Sequence, residues 1–126
     1  MEHIATICAM RELFVGLNAV EAQLEDKAGI DLQQALVLCC ISGQKIASTE
    51  IARALNMRTP MVSKNLAILE QQALVVRHIG VEDKRRMFFT LSDKGEQTMA
   101  ILRNLQLAIP TDLQPLFTCV AEREQV

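Results

Sequence analysis

Basic side chains that could meet a polyanion are concentrated in the middle of this 126-residue chain. From Lys45 to Lys94 there are nine Lys or Arg and five Asp or Glu, whereas the flanks together carry four basic and ten acidic residues. Because the net charge is only −2, a nucleic acid would have to contact this central segment rather than the whole surface. A solvated surface can also segregate charge by chance, so the charge pattern alone leaves both interpretations open.

Thiols are the other reactive groups in the sequence. Cys8, Cys39, Cys40 and Cys119 lie in apolar surroundings without a CxxC spacing, and only two histidines accompany them, which disfavours a zinc site. In a reducing compartment we expect such cysteines to be small buried residues. The alternative is a thiol switch, whose candidate redox residues are Cys8, Cys39 and Cys40.

The remaining composition indicates a folded protein that is not an enzyme. Neither histidine stands near a Ser, Cys or Asp partner in sequence, and no Gly-rich phosphate loop occurs, so we expect no catalytic residues, no cofactor and no metal. Half of the residues are apolar, which is enough for one core in a chain of this length. Without a run of ~18 apolar residues or a basic leader, the sequence predicts a cytoplasmic protein with no membrane partner.

Two helices are predicted in the first third of the chain. Apolar residues recur every three or four positions from Ile4 to about Glu25, which is typical of an amphipathic helix. Its broad apolar stripe could pack against the core of the same chain or against a second copy. Gly29 should end this helix, and Asp31 should cap the next one over Leu32–Ile41.

The central segment is predicted to contain two short helices joined by a tight turn over residues 56–58. Ser48 is expected to cap a helix over Thr49–Leu55, and Thr59 to cap the second helix, with Pro60 at its first position. Positions 62, 66, 69 and 73 of the second helix share one apolar side. The opposite side is small and polar and carries one cation, Lys64.

A hairpin and two further helices complete the predicted fold. Residues 74–79 and 87–91 are rich in β-branched or aromatic side chains, and the loop between them holds the charged run 82–86. Ser92 should cap a long helix from Asp93 to about Ala108, Pro110 should break it, and Thr111 should start the last helix. The fold class is therefore mainly α with a small β-hairpin, a winged helix-turn-helix between flanking helices.

This arrangement suits duplex DNA. The second central helix can enter a major groove about 12 Å wide, where Ser63, Lys64 and Asn65 would reach phosphates or base edges. The hairpin tip would then lie along the neighbouring minor groove, whose negative potential attracts an inserted arginine, either Arg85 or Arg86.

Several motifs in this region resemble the MarR family of bacterial transcription regulators. Residues 49–55, TEIARAL, are similar to that family's S-E-L-A-x-x-L helix, and residues 59–63, TPMVS, are similar to the start of its recognition helix. ILEQQALVVR at 68–77 resembles x-L-E-x-x-G-L-V-x-R, with Ala73 in place of the glycine. DKR at 83–85 and LSDKG at 91–95 resemble the wing motif D-x-R and the following L-T-x-K-G.

The resemblance implies a homodimer that binds double-stranded DNA at near-palindromic operators. In this organisation 1–126 is a single MarR-like domain, with residues 1–44 and 93–126 as the helical dimerisation region and residues 45–92 as the DNA-binding lobe. Arg85 would enter the minor groove while Asp83 holds it in position. The expected DNA-binding residues are Arg58, Thr59, Pro60, Met61, Ser63, Lys64, Asn65, Arg77, Asp83, Lys84, Arg85 and Arg86.

The sequence thus predicts a sequence-specific transcriptional regulator, usually a repressor in this family, whose affinity a small-molecule effector or an oxidant would modulate. An alternative stays open at this point. A winged helix can also serve as a protein-protein interaction module without DNA affinity, and the low total charge favours that alternative.

Overall fold

The structure is a computed structural model that describes residues 6–124, with side chains described through residue 120. Its elements are α1 (Ile7–Ala28), α2 (Leu32–Ile41), β1 (Ile46–Ala47), α3 (Ser48–Leu55), α4 (Thr59–Gln71), β2 (Val75–Ile79), β3 (Met87–Leu91), α5 (Asp93–Asn104), a 3₁₀ turn over Thr111–Leu113 and α6 (Gln114–Glu124). The predicted class, helical with a small antiparallel sheet, is confirmed.

The boundaries of the first two helices follow the predicted signals. Gly29 has a left-handed backbone (φ 69°), and its N–H donates to the Glu25 carbonyl, which ends α1. Asp31 caps α2, because its Oδ1 accepts from the Gln34 N–H at 2.8 Å while Gln34 Oε1 accepts from the Asp31 N–H at 3.5 Å. The predicted start of α1 at Ile4 lies outside the described residues.

The two predicted hydroxyl caps of the central helices are wrong. Ala47 occupies the N-cap position of α3, and Ser48 is already the first helical residue. Likewise Arg58 is the N-cap of α4, Thr59 its first residue and Pro60 its second. Both caps have extended backbones and no side-chain hydrogen bond, because β1 leads directly into α3 and a three-residue turn leads directly into α4.

The sheet has three strands in the order β1-β3-β2, all antiparallel. The predicted hairpin is confirmed, with Val75 opposite Leu91 and Ile79 opposite Met87. The short strand β1 was not predicted, since its two residues, paired with Phe88 and Phe89 of β3, are too few to show an alternating pattern.

Helix α5 ends at Asn104, four residues before the predicted end. The backbone that would have continued it is bonded to side chains of α1 instead. The Gln23 amide donates to the Ala108 carbonyl and accepts from the Ala108 N–H, both at 2.8 Å, and Lys27 Nζ donates to the Gln106 carbonyl. These contacts satisfy polar groups that a longer helix would have paired internally.

The chain forms two compact units. Residues 30–105 make up one unit, which contains α2 to α5 and the sheet, and the described residues on either side of it make up the other. The winged helix therefore packs together with α2 and α5, which the sequence-based division placed in the dimerisation region. The largest fully buried side chains of this unit are Val37, Leu38, Ile41, Ile51, Val62 and Leu69.

The other unit consists of α1, the connection after α5, the 3₁₀ turn and α6. Gly16 in α1 lets Leu113 pack directly against the helix backbone, and a Cβ at position 16 would overlap the Leu113 side chain. Within the described residues, the helices are too short or too polar to cross a lipid bilayer.

Candidate nucleic-acid interface

Helix α4 presents a polar outer surface over an apolar inner one. Val62, Leu66 and Leu69 are buried, as their spacing predicts. The exposed residues are Thr59, Pro60, Met61, Ser63, Lys64, Ala67 and Gln71. Short side chains dominate this surface, so a ligand can approach the helix backbone closely.

Asn65 is buried, in contrast to its expected place among the residues that face outward from α4. Only 4% of it is exposed, and its Nδ2 donates to Gln33 Oε1 of α2 at 3.1 Å and to the Met61 carbonyl at 3.0 Å. Asn65 follows Val62 by three positions and precedes Leu69 by four, which places it on the inner side of the helix. The prediction that it reaches phosphates or base edges is wrong.

The turn between α3 and α4 places Arg58 at the amino end of α4. Asn56 takes a left-handed conformation (φ 50°), and the Met57 N–H donates to the Ala52 carbonyl at 2.9 Å, which closes the turn. Arg58 and Thr59 are both exposed there. A cation and a hydroxyl thus stand where the free N–H groups of a first helical turn already favour an anion.

The carboxyl end of α4 is held by the beginning of α5. Lys94 Nζ donates to the Gln72 carbonyl at 2.9 Å and Ser92 Oγ to the Ala73 carbonyl at 2.6 Å, while Ser92 also caps α5 through the Gly95 N–H. A Cβ on Gly95 would overlap the Leu74 carbonyl oxygen. The LSDKG segment therefore fixes α4 to the element that follows the hairpin.

Arg85 projects from the tip of the hairpin. The turn is closed by the Arg86 N–H, which donates to the Asp83 carbonyl at 3.0 Å, and by the Gly80 N–H, which donates to the Arg86 carbonyl. Asp83 Oδ1 accepts from the Arg85 N–H at 3.0 Å and from its Nε at 3.3 Å. The Arg85 side chain is nonetheless 94% exposed, so the aspartate orients it without covering it.

The two candidate arginines of the wing, Arg85 and Arg86, have different surroundings in the structure. Arg86 folds back onto α3, where its Nη2 lies 3.4 Å from Glu50 Oε1 and its guanidinium stacks 5.1 Å from the Phe88 ring centroid. Lys84 is exposed beside Arg85. Arg85 is therefore the more exposed of the two arginines, at 94% against 50% of the side chain. The Glu50 contact was not visible in the sequence, because 36 residues separate the partners.

Arg77 lies on β2 close to α4. Its Nη2 is 3.1 Å from Glu70 Oε1, and its guanidinium stands over the Phe89 ring at 5.8 Å from the centroid. Lys45, an exposed cation that was not among the predicted residues, stacks on Phe88 at 5.6 Å from that ring centroid. The sequence signal that could have indicated Lys45 is its position three residues before α3, a helix of the DNA-binding segment.

The cysteines are more accessible than predicted. Cys8, Cys39 and Cys119 are exposed, and Cys40 is half-buried, so the expectation of burial is wrong for three of them. Ile7 beside Cys8 is itself exposed, whereas Leu38 and Ile41 beside the Cys39-Cys40 pair are buried. Burial raises the pKa of the Cys40 thiol, and the adjacent Cys39 raises that pKa further. All four thiols are free, and the described residues hold no cluster of His, Cys, Asp or Glu suited to a metal ion.

An apolar surface distinguishes the unit formed by α1 and α6. The exposed apolar residues of these helices are Ile7, Met10, Leu13, Phe14, Val15, Leu17, Leu116, Phe117 and Val120. A groove of about 320 Å³ between the helices is lined only by apolar side chains, among them Leu17, Leu113 and Phe117. Contiguous exposed apolar surfaces of this kind often mark a site of interaction with another molecule.

Two helices with a buried inner face, followed by a hairpin with a basic tip, define a winged helix-turn-helix fold. The MarR family model matches residues 28–86, which include the whole helix-turn-helix and the wing through Arg86. Through this segment the chain is similar to the MarR family.

Several solved structures share the fold. A mutant MarR from E. coli complexed with operator DNA is 20% identical, with 79% of this chain and 75% of that one covered and a TM-score of 0.67. The repressor CouR bound to a 23-mer DNA duplex is 24% identical (coverage 77% and 68%, TM-score 0.69). MepR from S. aureus in complex with DNA is 21% identical (coverage 97% and 85%, TM-score 0.65). No curated protein sequence matches the chain.

Proposed function

We propose that this protein is a homodimeric, sequence-specific DNA-binding transcriptional regulator that acts as a repressor at a near-palindromic operator. The observation that carries the proposal is the exposed Arg85, oriented by Asp83 at the tip of a hairpin that follows a helix with a small polar outer face. Both features lie in the segment that matches the MarR family. DNA complexes of structurally similar proteins support the same function.

In the proposed complex, α4 lies in the major groove and the wing in the adjacent minor groove. Lys64 and Met61 face the base edges, where the Met61 side chain suits the methyl group of thymine. Arg58 and Thr59 at the amino end of α4 contact phosphates. Arg85 enters the minor groove, where the electrostatic potential is most negative.

The apolar surface of α1 and α6 supports a dimer of two identical chains. A second copy would cover the exposed side chains of both helices in a twofold interface. Two DNA-binding units would then meet half-sites one helical turn apart, about 34–36 Å along the duplex. This is the physical reason for a near-palindromic operator.

Control of the proposed repressor would act on this dimer. A lipophilic small molecule in the apolar groove between α1 and α6 would compete with the second copy for that surface, whereas an oxidant would act at the exposed Cys8 or Cys39. The two effectors are separable, because mild peroxide would change DNA affinity in the wild-type protein and leave a Cys8→Ser, Cys39→Ser variant unaffected. We place the protein in the bacterial cytoplasm, where its DNA target lies.

The decisive experiment is a DNA-binding titration of the Arg85→Ala variant. With duplexes recovered by the wild-type protein from a random-sequence pool, we expect a loss of about 10- to 100-fold in affinity with no change in dimer mass. Arg103→Gln removes one positive charge from the same unit at the end of α5, outside the proposed interface, and should bind normally.

A protein-protein interaction module makes the opposite prediction. Such a module would recover no duplex from the pool, and its wild-type and Arg85→Ala forms would behave alike. Wild-type binding that did not weaken as salt rises would also contradict the proposed function.

A further inference from the structure

A small cavity lies between the recognition helix and the sheet that carries the wing. It has a volume of about 150 Å³ and is lined by Ser48 at the start of α3, Ser63 on α4 and Arg77 on β2. Leu66 and Phe89, both buried, line its apolar part together with Met87. Three separate elements thus bring two hydroxyls and one guanidinium to the same concave site.

The hydroxyls of this cavity are available to a ligand. Ser48 does not cap its own helix, since Ala47 occupies the N-cap position of α3. Within residues 6–120, neither Ser48 Oγ nor Ser63 Oγ makes a hydrogen bond that meets ordinary distance and angle limits. Hydroxyl donors beside a guanidinium form a set suited to an oxyanion.

Two neighbouring side chains hold the guanidinium of Arg77 in place. Glu70 holds one Nη of the guanidinium at 3.1 Å, and the Phe89 ring lies beneath it. Both partners of the ion pair are substantially exposed, at 45% and 39% of their side chains, so the pair is weak and Arg77 can exchange it for a stronger anion.

The position of the cavity indicates which anion it would bind. A protein that places one element in the major groove and another in the adjacent minor groove must straddle the sugar-phosphate strand between the two grooves. The cavity lies between those two elements, α4 and the hairpin strands. We infer that Ser48, Ser63 and Arg77 form a subsite for one backbone phosphate of the DNA strand that separates the two grooves. This inference rests on the proposed function and adds Ser48 to the interface.

The test is a scan of single phosphates. Duplexes recovered by the wild-type protein are resynthesised with one neutral methylphosphonate linkage at each position in turn. We expect one position per half-site, between the major-groove and minor-groove contacts, at which neutralisation weakens wild-type binding about tenfold, as loss of hydrogen bonds to a charged group would.

Variants of the three cavity residues test whether that phosphate binds in the cavity. The Ser48→Ala, Ser63→Ala double variant should lose about tenfold on unmodified DNA and lose little more when the same phosphate is neutralised. Arg77→Gln should lower the slope of log K against log salt by about 1 per subunit. Thr98→Ala, which removes a hydroxyl that only bonds within α5, should match the wild type in both measurements.

Three results would contradict the proposed phosphate subsite. Only the first of them would also contradict the proposed function. If the wild-type protein recovers no duplex, the proposed function fails together with the subsite. If the double variant keeps wild-type affinity, the subsite fails and the function stands. If the double variant binds weakly but stays as sensitive as the wild type at every phosphate, the two serines act on folding or on another group, and the subsite again fails.

Discussion

Ala73 has a strained backbone conformation that the end of α4 requires. It is one of two non-glycine residues with positive φ in the described chain, at 60°, and it stands where the MarR motif prefers glycine. The Leu74 N–H donates to the Leu69 carbonyl at 2.9 Å and closes α4, so the conformation is required by the helix end. A side chain in this region costs about 1–2 kcal/mol relative to the right-handed conformation.

Replacing Ala73 by glycine should therefore stabilise the protein. Part of the gain is offset by the greater freedom of glycine in the unfolded chain, so we expect about 0.5–1 kcal/mol in the free energy of unfolding. Urea denaturation monitored by circular dichroism measures it. Ala67→Gly, at an exposed site inside the same helix, should instead destabilise by about 1 kcal/mol, and equal signs for the two variants would refute this interpretation.

Asn65 is the residue at which sequence reasoning about the site failed. Its spacing to Val62 and Leu69 puts it on the inner side of α4, but its polarity favoured an outward position. In the structure its amide is buried against Gln33 of α2. No pattern in the sequence indicates a hydrogen bond between partners 32 positions apart.

The Asn65→Ala variant should lose stability before it loses any DNA contact. Its buried hydrogen bonds to Gln33 and to the Met61 carbonyl disappear, which should cost about 1–3 kcal/mol of unfolding free energy. Ser63→Ala on the outer face should stay within about 0.5 kcal/mol of the wild type. An Asn65→Ala protein as stable as the wild type in urea would show that the bridge to α2 contributes nothing.

Among the elements, the helices and the hairpin were predictable, whereas their junctions were not. Amphipathic spacing located α1 and α4, the cap signal at Asp31 located α2, and β-branched or aromatic residues located both long strands. The junctions depend on tertiary contacts: β1 exists because β3 pairs with it, and α5 ends early because Gln23 and Lys27 bind the backbone beyond it. Local signals carry no information about such partners.

The wing offers a prediction at this scale. Asp83→Ala removes both hydrogen bonds that orient Arg85, so the arginine must be ordered when DNA binds, and affinity should fall about two- to tenfold. The neighbouring Glu82→Ala removes the same negative charge from an exposed position and should leave affinity unchanged or slightly higher. Equal effects of the two variants in a binding titration would mean that charge alone matters.

At the scale of the whole molecule, the division into two units bears on what each end of the chain does. The unit of residues 30–105 contains every proposed DNA contact, and the α1 and α6 unit contains the exposed apolar groove. The charge asymmetry of the sequence indicates a similar separation of a basic middle from acidic flanks. Assignment of α2 and α5 to the dimerisation region stays a prediction, and in the structure both helices pack within the unit of residues 30–105.

The proposed dimer can be tested through Phe117, which is 40% exposed on α6 and lines the apolar groove. Phe117→Asp should shift the protein from dimer to monomer in sedimentation equilibrium, because a charge would have to be buried at the interface. Asn18→Asp adds the same charge at an exposed polar position of α1 and should remain dimeric. A Phe117→Asp protein that sediments as the wild type would place the interface elsewhere.

The exposed apolar face of α1 and α6 also makes the stability of the protein depend on its concentration. If two copies cover that face together, mass action makes the melting temperature rise with concentration, since the folded pair is favoured over two separate chains. Dilution would then weaken the fold and vacate the operator at the same time. The concentration of this protein in the cell would thus set both its occupancy of DNA and its stability.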